Sequence, residues 1–483
     1  MNSLPRLGGG PTGHTGSFAW LCLAAVLVCA PLPLGSNRPW AVGLLAMAVW
    51  GFAAVLHAWH ARAGAALRLE ASLRPAWLPL ALLLALCALP AGQLLVESGT
   101  ADAARTREYL LRTLLYGAAF VLTLWVATPP RRVLWLLGAV VGAGILQAVL
   151  AVVLYSTGAT YEFLFDAFEQ GGRATGTFPN PDHLAGYMEL CLSAGLGLML
   201  AQFGGEQRVR PSTWQHSLRA ALVFLMSGKM LLRMTLVLLV IALVMTHSRM
   251  GNGAFFISLL LVGAVVAAVS RRLRRPALWL VLSMAVVDVF IIGQWVGLER
   301  VVTRLQGTAA ASSKTVATFG LGAKSAPPPS EQSLAERLVV PRMALQLVAE
   351  RPWFGHGGGT FYTVFPPFKT EALPLQWDHA HNDYVEVASD TGLVGLALWV
   401  GLGLATAVRS VRLLRDSQPR LSRGLGAAAL MALCSMGLHS LVDFNLQIPA
   451  NALTLVVILA LAWSVPVSGS GDAARPAQLT EHS

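Results

Sequence analysis

The run VLWLLGAVVGAGILQAVLAVVLY, Val133–Tyr155, holds 23 consecutive residues without a charge. A helix of about 20 apolar residues, rising ~1.5 Å each, crosses the ~30 Å hydrocarbon layer of a bilayer. Arg131 and Arg132 stand directly before the run. An uncharged stretch of this length on a basic foot reads as a membrane span. The pattern recurs at approximately 18–34, 40–57, 76–92, 109–128, 183–203, 230–247, 254–270, 277–297, 392–408, 424–440 and 451–466, so about twelve spans are expected. The seventh is the least distinct, because Lys229 and Arg233 interrupt its start and Leu218–Met226 before it is also apolar. Of the 483 residues 55% are hydrophobic and only 12% charged. A soluble domain carries about 25% charged residues. The fold class expected is an all-α polytopic membrane protein.

The net charge of +11 does not point to nucleic acid. The arginines fall in alternate loops: Arg62, Arg68 and Arg74; Arg131 and Arg132; Arg208, Arg210 and Arg219; Arg271, Arg272, Arg274 and Arg275; and Arg409 to Arg423. Under the positive-inside rule those loops, and with them both termini, are cytoplasmic. The first run, Phe18–Leu34, is followed by SNRPW rather than a small-residue cleavage site, so it reads as a retained span. Cys22, Cys29, Cys87, Cys191 and Cys434 all lie in apolar segments and form neither a zinc spacing nor a disulfide framework.

The chain therefore divides into an N-terminal membrane region (1–297), a long hydrophilic segment (298–391), a C-terminal membrane region (392–466) and a tail (467–483). The long segment lies opposite the arginine-rich loops, in the periplasm of a Gram-negative host. Gly307–Ser330 reads as a flexible linker. Ser333-Leu-Ala-Glu336 resembles a capping box opening a helix toward Ala349, with Pro341 inside it marking a kink or a start. Near the end stands HAHNDYVEVASDTGLVG, His379–Gly395. Asn382 or Asp383 caps a short helix there, broken at Gly392 where the tenth span begins.

A protein with most of its length in lipid has few places for aqueous chemistry, and this stretch is the best of them. His381 lies just before a helix N-terminus, whose dipole disfavours a second proton on imidazole. A neutral imidazole suits general-base work. His379, His381 and Asp383 also spell H-x-H-x-D, which leaves a divalent-metal reading open. Arg249, at the end of the seventh span, and Arg337, Arg342 and Arg351 lie where the positive-inside rule does not ask for them. Guanidinium is the preferred partner of phosphate. On one continuous helix Arg337 and Arg342 would point ~140° apart, so one phosphate takes one of them. Asn180-Pro-Asp-His183 precedes the sixth span, and His439, Asp443 and Asn445 form another outer polar cluster. Glu189 and Asp288, inside spans, are the residues a transporter would use.

Several blocks resemble the O-antigen ligase and O-antigen polymerase superfamily, the Wzy-type integral-membrane glycosyltransferases. His381-Asn382, then Gly392 and Gly395, is similar to that family's ligase motif. PLPLGSNRPW at 31–40, GTFPNPDHLAGY at 176–187, THSRMG at 246–251, ERLVVPRMALQLVAERPWFGHGGGTF at 336–361 and HSLVDFNLQIPANA at 439–452 resemble family blocks in the same order. Asp182 stands where the family often has asparagine, and Pro341 where tryptophan is common.

The resemblance implies a GT-C-like architecture and a metal-independent, inverting glycosyltransferase without a cofactor. His381, Arg249 and Arg337 would be its catalytic residues. Arg342, Asn382, His379, Asn180 and His183 would contact substrate. The donor would be an undecaprenyl-diphosphate-linked glycan, and the acceptor lipid A-core or a growing polysaccharide at the periplasmic face of the inner membrane. A polymerase or a protein O-oligosaccharyltransferase would share these motifs. A lipid-linked sugar transporter is the rival of a different class.

Overall fold

The computed structural model describes residues 12–62, 73–168, 172–203, 227–292, 334–369 and 377–467. Thirteen helices are named in chain order: α1 (Thr12–Cys29), α2 (Pro39–Arg62), α3 (Trp77–Leu95), α4 (Ala103–Val126), α5 (Pro130–Thr157), α6 (Pro181–Ala201), α7 (Gly228–Met245), α8 (Arg249–Val269), α9 (Arg274–Ile292), α10 (Leu334–Glu350), α11 (Asp383–Leu413), α12 (Arg420–His439) and α13 (Pro449–Trp463). Between α5 and α6 lies an antiparallel hairpin, β1 (Tyr161–Phe163) and β2 (Asp166–Phe168), with Tyr161 opposite Phe168. Among the described residues nine helices are long and apolar enough to cross a membrane, and α1 and α13 contribute shorter apolar helices. With α9, each expected span coincides with a helix, and the chain is an all-α polytopic membrane protein.

Three boundaries differ from the sequence expectation. The first helix ends at Cys29 instead of running to Leu34, because Pro31 and Pro33 cannot continue it. The seventh ends at Met245, and Arg249 does not close it but opens α8. Thr246 and His247 make the turn between them, His247 with φ +52°. In the long segment, α10 runs without interruption through Pro341, which lies inside it rather than starting it. Ser333, the linker and Leu218–Met226 lie outside the described residues.

Side chains fix the helix starts that approach the polar end. Asn180 accepts from the Asp182 amide at 2.8 Å, with Pro181 in the first helical position. Ser248 accepts from Gly251 at 3.1 Å and Asn382 from Val385 at 3.0 Å. Each oxygen satisfies an amide that the helix itself leaves without a partner. α11 is two helices meeting at Gly392, whose φ of 71° and ψ of −178° suit only glycine. A Cβ there would lie 2.1 Å from the Trp353 carbonyl oxygen, so the turn after α10 seats directly on the break.

α6 is the centre of the bundle, with 89% of its apolar window buried. It packs backbone to backbone on α12, where a Cβ on Gly197 would come within 2.6 Å of the Gly424 carbonyl. Close approach of this kind lets helices in lipid gain dispersion contacts where hydrophobic burial contributes little. At one end of the bundle the basic loops meet: Asp416 accepts from the Ser270 hydroxyl and from the Arg271 and Arg272 amides. At the other end six connections are tied together. Thr177 Oγ1 donates to the Pro31 carbonyl, Ala101 N to His356 O, Ala174 N to Met245 O and Asp383 N to Ser440 O. That end carries the candidate site.

Candidate functional site

Phe444, between α12 and α13, is the shelf on which the site is built. The His379 ring stacks on it at 4.1 Å between centroids, while His381 and His183 meet it edge-on at 4.9 and 4.7 Å. Three imidazoles from two distant segments of sequence are thereby gathered around one apolar ring. Trp377 closes the far side of His381 at 5.2 Å, again edge-on. Below, α10 contributes Val340, Ala344 and Leu347 to a small core with Phe361, Phe365, Trp377 and Ala380. The His379–His381 strand is therefore held from beneath by the helix that carries Arg342.

His381 is 7% exposed and adopts φ +49°, an uncommon conformation for a side-chain-bearing residue, immediately before the α11 cap. Its Nδ1 lies 3.8 Å from Asp443 Oδ1. Asp443 is fully buried and takes the Phe444 amide on Oδ1 at 2.9 Å. Its other oxygen lies 3.8 Å from His439 Nε2, and His439 Nδ1 is 2.7 Å from Glu189 Oε1 on α6. His381, Asp443, His439 and Glu189 thus form a buried row of alternating imidazole and carboxylate. A carboxylate this close to an imidazole compensates the charge the ring acquires on taking a proton.

The neighbours of His381 have other work. His379 Nδ1 pairs with Glu386 Oε1 at 2.7 Å, and the second Glu386 oxygen takes the Ala380 amide at 2.8 Å. Burial pulls the His379 pKa down, but the Glu386 charge and hydrogen bond outweigh it and hold the group above its ordinary value. Asp383 Oδ2 accepts from Ser440 Oγ at 2.7 Å and from the Leu446 amide. The three side chains of H-x-H-x-D therefore reach to Glu386, Asp443 and Ser440 in turn, and do not converge on one point as metal ligands do. Asn382 caps α11 and donates from Nδ2 to the Leu441 carbonyl at 2.8 Å. Asn180 is a helix cap, and His183 is buried in the first turn of α6.

Arg249 is exposed at the head of α8, and Arg342 is exposed on α10. Arg337 lies within α10, its side chain outside the described residues. The Arg249 turn is fixed to the first turn of α6 by an arginine not among the sequence candidates. Arg173 pairs with Asp182 at 2.6 Å and donates from Nε to the Thr246 carbonyl at 2.8 Å. Its position opposite the basic loops was the available signal. Glu189, one of two residues a rival transporter would use, is paired with His439. Asp288 has its side chain outside the described residues.

Residues 234–400 match the O-antigen ligase family model, and this stretch is O-antigen ligase-like. It takes in Arg249, Arg337, Arg342, His379, His381 and Asn382, and stops short of Asp443. A comparison with curated proteins found no match. The match supports an O-antigen ligase or polymerase-like function in the broad sense, acting on lipid-linked glycans.

Proposed function

We propose that the protein is a glycan ligase working at the periplasmic face of the inner membrane. It transfers a glycan from undecaprenyl diphosphate to an acceptor hydroxyl, with lipid A-core as the acceptor class. His381 takes the hydroxyl proton. The acceptor oxygen forms a bond to the anomeric carbon as the bond from that carbon to the diphosphate oxygen breaks. Undecaprenyl diphosphate leaves with the electron pair, and attack from the opposite side inverts the centre. Arg249 and Arg337 hold the diphosphate, whose growing charge guanidinium compensates without a metal. Arg342 and His379 face the substrate, and Asn180, His183 and Asn382 support the segments around it.

The observation that carries this reading is the buried His381 with Asp443 at 3.8 Å, at the end of the bundle away from the basic loops. A base must have its acquired charge compensated, and the Asp443 carboxylate at 3.8 Å is placed to do so. The pairing of Glu189 with His439 weighs against a transporter, which needs its charges facing a midplane path. The test is transfer in proteoliposomes by purified protein with a lipid-linked glycan donor and a core acceptor. His381→Ala should abolish transfer while the protein is recovered at the wild-type level. Full activity in that variant refutes the mechanism.

A further inference from the structure

Glu189 sits where three helices meet. It belongs to α6 and pairs with His439 of α12 at 2.7 Å. From α8 it is faced by Gly251: a Cβ on that glycine would lie 3.3 Å from Glu189 Oε1 and 2.6 Å from Ala185. Gly251 is in the first turn of the helix that Arg249 opens. Amides in a first turn favour a nearby anion. Neither Glu189 nor His439 is exposed to solvent, so neither is placed to touch a substrate. Holding a buried carboxylate and imidazole in an apolar bundle costs several kcal/mol per ion unless they are well paired. A pair that only joined two helices could be replaced by apolar side chains. This one lies at one end against the first turn of the helix that Arg249 opens and at the other, beyond Asp443, near the base.

We propose that Glu189 and His439 are positioning residues that link the Arg249 turn to the His381 base. The inference rests on the reading of His381 as base. His439 Nε2 faces the Asp443 carboxylate at 3.8 Å, and Glu189 holds His439 at 2.7 Å. The row carries two carboxylates, so its charge reaches His381 through Asp443. The titratable groups facing the pair are Asp182 and His183 on α6, Asp443 in the loop and, beyond it, His381. With His439 protonated, removing the charge of Glu189 leaves an imidazolium against Asp443 alone. The row then compensates a protonated His381 less well, and the base sheds its proton at lower pH.

The experiment is steady-state transfer by the full-length protein in proteoliposomes, as a function of pH, for wild type, E189Q, H439Q and H381A. Glutamine at 189 keeps the shape and an oxygen for His439. The expectation for E189Q is a kcat lower by about tenfold, below the 10²–10⁴ that proton transfer itself contributes. KM for the donor should change little, and the acid limb of the kcat/KM profile should move to lower pH. H439Q should show the same kcat loss. A wild-type kcat with an unmoved profile in E189Q overturns the proposal. So does loss of the folded, monodisperse protein in both variants, which would make the pair a structural tie. These outcomes are separable from failure of the base assignment, which H381A alone decides: an active H381A sinks that reading whatever E189Q does.

Discussion

Replacing Asp443 by asparagine isolates the charge behind the proposed base. The side chain keeps its shape, and Oδ1 can still take the Phe444 amide. What is lost is one negative charge 3.8 Å from His381 Nδ1. At an effective dielectric of about 20, two unit charges at that distance interact by ~4 kcal/mol. The imidazolium exists only as the acceptor proton is transferred, so this energy falls on the transition state rather than on substrate binding. A loss of ~4 kcal/mol corresponds to about a thousandfold in rate. The assay is kcat at saturating donor and acceptor in proteoliposomes, with donor KM measured alongside. The expected result for Asp443→Asn is a thousandfold lower kcat and a nearly unchanged KM. A decrease of less than tenfold would refute the reasoning, since the charge would then not be felt at the reacting nitrogen.

Two further predictions concern the surroundings. His379 gains a partner in Glu386, and its folded pKa lies above the unfolded value of about 6.5. The stability it contributes is fully present below that value and is lost as pH rises through the folded pKa. Melting temperatures of wild type and His379→Gln should therefore differ most in mild acid and converge in base; a gap constant with pH contradicts the ion pair. Gly392→Ala forces a side chain against the Trp353 carbonyl in a conformation that costs of order 1–3 kcal/mol. Hydrogen exchange at the Gly359 and Phe361 amides, which donate to Asp390, should quicken by about tenfold or more in that variant. Unchanged protection there would mean that the loop does not depend on its seat at the break.

The helices were legible because lipid imposes a length. A run such as Val133–Tyr155 has only one way to satisfy its backbone in hydrocarbon, and arginine placement then orders the loops. Local features of the site were legible for a similar reason: a cap such as Asn382 and a break such as Gly392 act on their own neighbours. Pairings across the bundle were not. A carboxylate alone in an apolar run carries no information about its partner, and nothing near Glu189 in sequence points to His439, 250 positions away. Nothing in the sequence singles out Phe444, and only the fold reveals that three imidazoles rest on it. Arg173 was within reach of the argument that picked out Arg249, since both stand on the side poor in basic residues.

The break at Gly392 has a consequence for how this segment can vary. Asp383 to Thr391 form a short rigid rod between the cap beside His381 and the seat of the Trp353 turn. Nine residues at ~1.5 Å each make it about 14 Å long. One residue more or fewer would turn the seat by ~100° relative to the histidine. The rod is thus a gauge block: side chains along it can be exchanged, but its count sets the alignment between histidine and seat. Substitution should be tolerated there far better than insertion.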